Sequence, residues 1–284
     1  MKTKKMLSFF IAVLSVLIAF DLWLGWENKS IVTTEICIED EDIPSSFSGF
    51  CIVQVSDLHN ETFGFRNKKL IKSIKEANPD IIVMTGDMVD IYRPDIDVTL
   101  SFAEEITEIA PVYFVTGNHD VKVVGRDKLL EGLKKAGVTV LRNQKTEIEK
   151  SGEKINLLGI DDPKFLDDFM RNDDRTNTKT AVEKLVRETD SYNLLLAHRP
   201  EMFDVYVSCG VNFVLTGHAH GGQIRLPNKG GVLAPGQGWW PEYDSGLYEE
   251  GNTQMVVSRG LGNSRFPFRV NNKPEIVTVI LESK

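Results

Sequence analysis

The stretch Ile81 to Asp90, Ile-Ile-Val-Met-Thr-Gly-Asp-Met-Val-Asp, restricts the possible folds more than any other part of the chain. It is an apolar, partly β-branched run between two segments of helical pattern, which is typical of a buried parallel strand. The run stops at a Gly that is followed by Asp87. Because open α/β sheets bind ligands beyond the carboxyl ends of their strands, we expect Asp87 to lie where a cation binds or where catalysis takes place.

Similar apolar runs recur along the chain and alternate with segments of helical spacing. Further strands are predicted at 31–38, 50–55, 112–116, 138–141, 146–148, 155–160, 192–197, 213–216, 254–258 and 276–281, with 138–141 and 146–148 as a pair. Helices are predicted at about 70–77, 98–109, 126–136 and 178–188, and the acidic stretch 161–174 is a predicted loop. This alternation predicts an α/β fold, and the lack of a linker rich in Pro, Gly or Ser favours one large domain over residues 31–284.

The first thirty residues form a separate unit. Lysines near the N-terminus precede an uncharged stretch from Met6 to Phe20, which continues beyond Asp21 as Leu-Trp-Leu-Gly-Trp. About twenty apolar residues suffice to cross the roughly 30 Å of hydrocarbon in a bilayer. We predict an uncleaved membrane anchor over residues 1–30, because no small-x-small cleavage site follows and Trp23 and Trp26 suit a membrane interface.

The charge around this segment predicts its orientation. Lys2, Lys4 and Lys5 would hold the N-terminus in the cytoplasm, so that a single pass places residues 31–284 on the extracytoplasmic side of the cell membrane. The alternative is a signal peptide, after whose cleavage the remaining chain is secreted. A core helix of a soluble domain does not fit, because the segment is apolar on all sides.

Charge and cysteine content exclude several classes of protein. A formal net charge of −8 and a pI near 5.3 argue against a surface that binds nucleic acid, which needs clustered Lys and Arg. Cys37, Cys51 and Cys209 are odd in number and lack zinc-finger spacing, so they predict neither a disulfide framework nor a zinc knuckle. We expect buried thiols; a Cys37 to Cys51 bridge is the alternative in an exported protein.

Every histidine of the chain follows a predicted strand. The five are His59, His119, His198, His218 and His220, and Asp57, Asp87, Asp90 and Asn118 lie beside them. Such strand ends converge on one crevice, where imidazole nitrogens and carboxylate oxygens suit Mn, Fe or Zn but not a Cys-rich structural zinc site. Asp57 and His59, like His218 and His220, are two residues apart, so in an extended segment each pair would present two ligands together.

These residues carry a resemblance to a known family. Asp57-x-His59, Gly86-Asp87-x-x-Asp90, Gly117-Asn118-His119-Asp120, His198 and Gly217-His218-x-His220 resemble, in order, the motif set of the calcineurin-like metallophosphoesterases. The resemblance spans roughly residues 50 to 282. Gly-His-Ala-His-Gly-Gly-Gln, Tyr-Asp-Ser-Gly-Leu-Tyr and Ser-Arg-Gly-Leu-Gly-Asn-Ser are similar to the branch of bacterial membrane-associated or exported phosphohydrolases. Single motifs of this kind are common by chance, but five in order are highly specific.

The resemblance implies a four-layer αββα sandwich, preceded here by the N-terminal hydrophobic helix. It also implies two divalent metal ions, Mn, Fe or Zn, and a hydroxide bridging them that attacks phosphorus. One metal would be held by Asp57, His59 and His220 and the other by Asn118, His198 and His218, with Asp87 bridging both.

Two further residues receive catalytic roles from the resemblance. His119 would face the leaving-group oxygen, and Asp90 would orient the His119 imidazole. For Asp90 a helix N-cap is an open alternative. Asp120 is left out of the site, since an acidic residue in a first helical turn needs no further reason.

The sequence thus predicts a metal-dependent phosphoesterase. Its motifs do not choose among phosphomonoester, phosphodiester and pyrophosphate substrates, and the membrane anchor suggests a lipid-linked or cell-envelope substrate. A binding scaffold that keeps the fold without catalysis is an alternative, although no expected ligand is missing. A metal-dependent nuclease is another, for which the sequence offers no Lys/Arg cluster beyond the N-terminal lysines. The motifs do not indicate an oligomeric state.

Two groups of side chains in the C-terminal part keep open roles. Trp239, Trp240 and Tyr243 are expected to pack the glycine-rich loop, with contact to a bilayer surface as the alternative. Arg259, Arg265 and Arg269 suit the binding of a substrate phosphate or carboxylate, but ordinary surface arginines are equally consistent with the sequence.

Overall fold

The computed structural model describes residues 2–165, 173–187 and 191–284, in which two six-stranded sheets lie face to face with helices on their outer sides. Half of the predicted acidic loop, residues 166–172, lies outside the described residues. The helices are α1 Lys2–Glu27, α2 Lys68–Glu76, α3 Ile96–Thr107, α4 Asn118–Lys122, α5 Arg126–Lys135, α6 Asp174–Val186 and α7 Phe203–Ser208.

The strands have the following bounds. They are β1 Val32–Asp40, β2 Phe50–Val55, β3 Ile81–Met84, β4 Val112–Phe114, β5 Thr139–Val140, β6 Gln144–Lys150, β7 Glu153–Gly159, β8 Asn193–Leu196, β9 Phe213–Thr216, β10 Arg225–Leu226, β11 Gly230–Gly231, β12 Leu233–Ala234, β13 Gly238–Trp239, β14 Gly246–Glu250, β15 Thr253–Val257 and β16 Glu275–Ser283. Five short 3₁₀ turns, at 45–47, 65–67, 163–165, 200–202 and 220–222, join some of them.

The first sheet has the order β1-β16-β2-β3-β4-β5. Strands β2 to β5 run parallel, as their fully buried apolar residues predict, whereas β16 runs antiparallel to β2 and parallel to β1. The register Val277↔Gln54 and Val32↔Glu275 therefore places the start of β1 at the end of the sheet where β2 finishes. We call this end of the molecule, where the parallel strands finish, the carboxyl pole.

The second sheet has the order β14-β15-β9-β8-β7-β6. Its four central strands are parallel, and β6 and β14 form the antiparallel edges. Strands β5 and β6 were predicted as a pair; this is wrong, because residues 141–143 between them cross from the first sheet to the second. The prediction also missed β10 to β14, whose glycine-rich segments lack an apolar alternation.

Three apolar clusters confirm the four-layer arrangement. One lies between the sheets and includes Ile52, Val83, Leu194 and Phe213. A second packs α2, α3 and α5 on the outer face of the first sheet, and a third packs α6 and α7 on the outer face of the second. Helices therefore cover both outer faces, and the strand ends at the carboxyl pole are left to form a site.

The cysteines are free thiols and not a bridge. Cys37 and Cys51 both lie opposite Ile280, on either side of β16, so two strand spacings of roughly 10 Å in total separate them, too far for a disulfide. Cys51 is buried as expected. Cys37 is exposed, because edge strand β1 has only one neighbour, so its predicted burial is wrong.

Helix α1 is apolar on all sides between Met6 and Phe20, and the side chains of residues 4–22 lie exposed outside the sandwich. Within the described residues, the segment Lys4–Glu27 is long and apolar enough to cross a membrane, as a signal sequence would also be. Its last residue behaves differently: Glu27 is only 3 % exposed and lies against the rest of the protein. The division of the chain at residue 30 stays a prediction.

Candidate metal centre

The loops that follow five parallel strands meet at the carboxyl pole. β2 leads to Asp57 and His59, and β3 leads to Asp87. The remaining side chains follow β4, β8 and β9: Asn118, His119, His198, His218 and His220. Apart from Asn118, each of these side chains belongs to a group that could hold a metal ion, and all of those side chains are buried.

The first group consists of Asp57, His59 and His220. The two imidazole Nε2 atoms lie 3.2 Å apart, and Asp57 Oδ1 lies 3.4 Å from His220 Nε2 and 3.9 Å from His59 Nε2. Three atoms with lone pairs therefore surround one point, which is the geometry of a cation site.

The second group consists of Asp87, His198 and His218. His198 Nε2 lies 3.3 Å from Asp87 Oδ2 and 3.1 Å from His218 Nδ1. The same Asp87 oxygen lies 3.7 Å from His59 Nε2 in the first group. Asp87 therefore lies between the two groups, as a bridging carboxylate requires.

Asn118 adds a polar atom without a partner. Its Oδ1 is buried and accepts no hydrogen bond within the part of the chain that the structure describes. A buried carbonyl oxygen left without a donor costs free energy unless another group satisfies it. The residues present fit two divalent ions, which would use this oxygen with the two groups of imidazoles and carboxylates. The ligand roles of these seven residues stay predictions.

The protonation of three of the four imidazoles agrees with this fit. Burial, together with neighbouring imidazole or guanidinium charge, lowers the pKa of His59, His218 and His220, so these rings are neutral and have a free lone pair. Burial alone would also lower the pKa of His198, but Asp87 and other carboxylates outweigh it and raise that pKa to about 10, so without an ion this ring is protonated and a bound cation would have to displace its Nε2 proton. His198 Nδ1–H donates to Thr85 O at 2.7 Å, which leaves Nε2 to face the site.

The backbone at the site is strained. Five of the candidate ligands have positive φ: Asp57 52°, His59 46°, Asp87 54°, His218 64° and His220 49°. Such a conformation costs a non-glycine residue on the order of 1 kcal/mol, and strain of this kind collects at functional sites. The expectation that the two pairs lie in extended segments is wrong. His218 and His220 consequently divide between the two groups and do not serve one ion together.

Two glycines allow the strand ends to approach each other. Gly86 has φ +93°, and a Cβ on it would lie 2.5 Å from Gly117 N and 2.7 Å from His198 Nδ1. A Cβ on Gly117 would in turn collide with the Asp87 side chain. Any larger residue at either position would push Asp87 away from the histidines.

Asp120, which the sequence analysis left out, organises the turn that carries Asp87. Its Oδ2 accepts hydrogen bonds from Asp87 N–H at 2.6 Å and Gly117 N–H at 2.9 Å, and its Oδ1 accepts from Met88 and Val89 N–H. Burial and the nearby Asp87 charge raise the pKa of Asp120 to about 7. The signal that could have found it is its position in the Gly-Asn-His-Asp motif.

The geometry around His119 differs from the expectation for Asp90. His119 Nδ1 accepts a hydrogen bond from Ile91 N–H at 3.2 Å, so the backbone orients this ring. Asp90 Oδ1 accepts from the Tyr92 and Arg93 N–H groups, a turn contact that directs Oδ2 to within 3.9 Å of His59 Nδ1. Neither of these two facing atoms has a hydrogen-bond partner among the described residues. Asp90 is therefore placed to orient His59.

The three candidate arginines have different environments. Arg269 is fully buried and donates to Gly262 O at 2.6 Å and to Arg259 O at 2.7 Å, and its Nη2 lies 3.3 Å from His220 Nδ1. Arg259 forms an ion pair with Glu275 at 2.6 Å. Only Arg265 faces the site opening, where it donates to Tyr92 Oη at 2.8 Å. Arg269 thus supports a ligand, and Arg265 alone is placed to bind substrate.

The two groups open into a cavity of about 590 Å³. Its lining includes the polar residues His119, Lys122 and Arg265 and the apolar or aromatic residues Ile224, Val232, Leu233, Trp239 and Phe266. Of the aromatic residues expected to pack the loop, Tyr243 does so against Phe203 and Tyr248. Trp239 and Trp240 do not, since they are 69 % and 56 % exposed.

Known proteins share this sequence pattern. A model of the family described as calcineurin-like phosphoesterase matches residues 51–222. An uncharacterized metallophosphoesterase of Bacillus subtilis (strain 168), YkuE, is 34% identical over 264 residues, which are 90% of this chain and 87% of that protein. Phosphodiesterase YaeI of Escherichia coli (strain K12) is 30% identical over 244 residues, 82% of each chain.

A vertebrate relative and a solved structure complete the comparison. A transmembrane protein with metallophosphoesterase domain of Danio rerio is 28% identical over 284 residues, covering 95% of this chain and 61% of that protein. The crystal structure of TT1561 of Thermus thermophilus superposes with a TM-score of 0.52 at 13% identity, over 75% of this chain and 91% of that one. The structural likeness shows a shared fold.

Proposed function

This chain belongs to the calcineurin-like phosphoesterase family, and from that membership we propose that it hydrolyses phosphate esters carried on lipid or other apolar groups at a membrane surface. It is a metal-dependent phosphoric ester hydrolase by family. The observation that carries the proposal is the pair of ligand groups around Asp87, which open into a cavity lined by both polar and apolar side chains.

Each protein group has a task in this reaction. Asp57, His59 and His220 would hold one divalent ion, Asn118, His198 and His218 the other, and Asp87 both. Two such ions supply Lewis acidity toward phosphoryl oxygens and a nucleophile near neutral pH. Asp90 holds the His59 ring from behind, and the Thr85 carbonyl holds the His198 ring, so that both imidazoles keep one orientation.

His119 is proposed to stabilise the leaving group. Because Nδ1 accepts from Ile91 N–H, the ring presents an N–H at Nε2, and Nε2 lies 3.4 Å from Ser264 Oγ. A leaving-group oxygen there would accept a hydrogen bond from Nε2–H, which stabilises the negative charge that develops as the phosphorus–oxygen bond breaks. Lys122 and Arg265 line the same cavity and would bind non-bridging or adjacent phosphate oxygens.

The apolar side chains of the cavity support a substrate with an apolar leaving group. Ile224, Val232, Leu233, Trp239 and Phe266 offer no hydrogen-bonding side chains except the indole N–H, so these residues suit an acyl or isoprenoid chain better than a sugar or a nucleotide. Helix α1 supports anchoring of the whole chain, with residues 31–284 on the extracytoplasmic side as the lysine asymmetry favours. The relatives named as transmembrane proteins agree with membrane association.

The test is metal-dependent hydrolysis by the full chain in detergent. Protein stripped of metal and then resupplied with Mn, Fe or Zn is assayed on p-nitrophenyl phosphate, bis-p-nitrophenyl phosphate and a phospholipid with a radiolabelled headgroup. We expect metal-restored turnover that Asp87→Asn lowers by about 10³-fold or more, since the bridging carboxylate is lost.

Asp97→Asn is the matched control, because Asp97 is an exposed carboxylate on α3 that pairs with Lys128. Its turnover should equal that of the wild type. Turnover that survives in Asp87→Asn would overturn the metal mechanism, and turnover of soluble esters without any release of the lipid headgroup would overturn the lipid substrate.

A further inference from the structure

We propose that the face of the protein surrounding the anchor docks on the bilayer, so that the cavity opens at the membrane surface. This face, the anchor face, consists of residues 60–69, 221–240 and 259–274. The occupant is a leaflet that contains anionic lipid. The inference rests on the proposed anchoring of α1, but it concerns a second, peripheral contact that anchoring alone does not require.

The anchor is joined to this face by hydrogen bonds. Glu27 Oε1 accepts from Asn272 N–H at 3.1 Å. Asn28 Oδ1 accepts from Arg269 N–H at 2.8 Å, and its Nδ2 donates to Arg269 O at 3.1 Å. Lys29 forms an ion pair with Glu61 on the other side of the helix end. The helix thus ends between two segments of the anchor face, without a free linker.

The direction of β1 places the anchor at the carboxyl pole. β1 begins at Val32, opposite Glu275, and runs toward the far end of the first sheet. Asn272 also donates to the carbonyl oxygens of His220 and Gln223, which adjoin the site. The membrane end of the helix and the metal ligands therefore share one pole, and a bilayer around α1 lies against that pole.

Exposed apolar side chains concentrate on the same face. Outside α1, ten large apolar or aromatic side chains are exposed in the described residues, and seven of them belong to the anchor face. Phe65 is 77 % exposed, Trp239 69 % and Trp240 56 %. Phe266 and Phe268 lie next to the segment that binds Asn28. Aromatic side chains of this kind favour the membrane–water interface.

Charge on this face has the opposite sign to that of the molecule. Its three segments hold nine Lys and Arg and one Glu, although the chain has a net charge of −8. Arg269 is buried, and Arg66, Arg225 and Arg259 are paired with Glu105, Asp244 and Glu275. The remaining basic residues, Lys68, Lys69, Lys229, Arg265 and Lys273, leave an excess of positive charge. Lys273 lies over the Trp26 ring, 4.4 Å from its centre, at the end of the anchor. Basic residues beside an anchor attract anionic headgroups.

The cavity opens within this face, since Leu233, Trp239, Arg265 and Phe266 line it and belong to the anchor face. A docked leaflet would therefore meet the rim of the cavity. An ester whose apolar group lies in the leaflet could reach His119 and the ligand groups without leaving the membrane. Docking would thus explain why apolar side chains line part of the cavity.

Tryptophan quenching in vesicles tests the docking. The full chain is reconstituted in phosphatidylcholine and phosphatidylglycerol, part of which carries brominated acyl chains. One variant keeps only Trp239, with the other three tryptophans changed to Phe, and another keeps only Trp23 within the anchor. The control carries Glu41→Trp, with all four native tryptophans changed to Phe, in an exposed turn after β1 at the opposite pole.

We expect quenching of Trp239 that approaches that of Trp23, and no quenching in the Glu41→Trp control. Quenching of Trp23 alone would overturn the docking and leave the anchor in place, and no quenching of either would overturn both. Hydrolysis of p-nitrophenyl esters by the same samples reports separately on the proposed reaction. Salt-dependent binding of a DNA oligomer, with Trp239 unquenched, would show that the anchor face binds nucleic acid and would overturn the inference.

A second variant removes aromatic residues that do not line the cavity. Trp240→Ser with Phe268→Ser should reduce the quenching of Trp239 by about twofold or more, because less aromatic surface enters the interface. Turnover of the soluble esters should stay at the wild-type level. Unchanged quenching in this variant would show that these aromatics do not hold the face on the leaflet, against the inference.

Discussion

Asp120 is one carboxylate on which the turn around Asp87 depends. Its two oxygens accept hydrogen bonds from four backbone N–H groups of two separate loops, one after β3 and one after β4. The carboxylate therefore ties together two chain segments that both carry candidate ligands. An asparagine of the same size would turn an NH₂ group toward two of these donors, which would leave them unsatisfied.

We therefore predict that Asp120→Asn lowers the free energy of unfolding by roughly 3 kcal/mol. Urea unfolding of the metal-free chain in detergent measures this. Asp127→Asn is the control, because Asp127 lies exposed in the first turn of α5 and is expected to cost only about 0.3–1 kcal/mol. Equal losses in the two variants would mean that Asp120 is no more than a first-turn residue.

Tyr192 provides a prediction on pH. Its side chain lies between the two sheets, and its hydroxyl group has no hydrogen-bond partner among the described residues. Burial, with the charges of Asp40 and Asp42, raises the pKa of Tyr192 well above its usual value near 10. Below pH 10 the phenol group is protonated in both the folded and the unfolded chain. Above it, the unfolded chain releases the proton while the folded chain retains it, so stability falls as pH rises.

Tyr192→Phe should therefore raise the free energy of unfolding by up to about 1 kcal/mol at pH 8, and stability should then fall less steeply between pH 10 and 11. Urea titrations across this range measure both effects. Tyr206→Phe is the matched control, since this equally buried hydroxyl donates to Arg199 O at 2.8 Å. It should lose about 1 kcal/mol at pH 8. Identical behaviour of the two variants would contradict the role given to the unpaired hydroxyl.

At the level of residues, the sequence predicted the candidate ligands because each follows a strand whose end is marked by its own apolar run. It did not predict how they are held. Asp87 has a positive φ, and its N–H is held by the Asp120 side chain of a second loop. Arg269 lies 49 positions from His220, so no spacing rule connects them. Asp90 turned toward His59 because local backbone donors occupy its other oxygen.

Among the helices, α1 has two different parts. Among the described residues, the side chains of 4–22 are exposed, whereas Glu27 at its end and Asn28 just after it bind the loop that carries Arg269. The Arg269 guanidinium group lies 3.3 Å from His220. A path of direct contacts therefore leads from the anchor through Asn28 and Arg269 to a candidate ligand. The end of the helix thus helps to position His220 in the first ligand group.

We predict that Asn28→Ala weakens metal binding by about tenfold, the lower range for loss of an outer support of a metal ligand. Competition with a chromogenic chelator measures the affinity without any assay of turnover. A chain beginning at residue 31 should show the same loss. Ser30→Ala is the control, because Ser30 Oγ donates only to Trp26 O within the same helix end. Wild-type affinity in Asn28→Ala would separate the anchor from the site.

Elements with a continuous apolar run were predicted well, and 50–55 and 213–216 agree with β2 and β9 at both ends. Such runs are buried on both faces, so burial alone determines their bounds. The short strands β10 to β13 hold only two residues each, and their backbone is determined by contacts with the loop at 222–224 and 270. No local pattern encodes contacts of that kind.

For the whole molecule, the alternation of elements predicted the α/β class, and the resemblance implied the four layers that the apolar clusters confirm. Which sheet receives each strand could not be read locally, as β5 and β6 show. The positive face was also hidden, because three segments far apart in the chain form it. The net charge of the whole chain therefore described the surface incompletely, and it was too general an argument against nucleic-acid binding.

The order of the first sheet has a consequence for biosynthesis. Strand β1 directly follows the anchor, but its only neighbour is β16, which is made last, and β16 also separates β1 from β2. A nascent chain therefore cannot close this sheet while it is still being extended. All strands of the second sheet, by contrast, precede β16 in the chain, so the first sheet is the one that closes last.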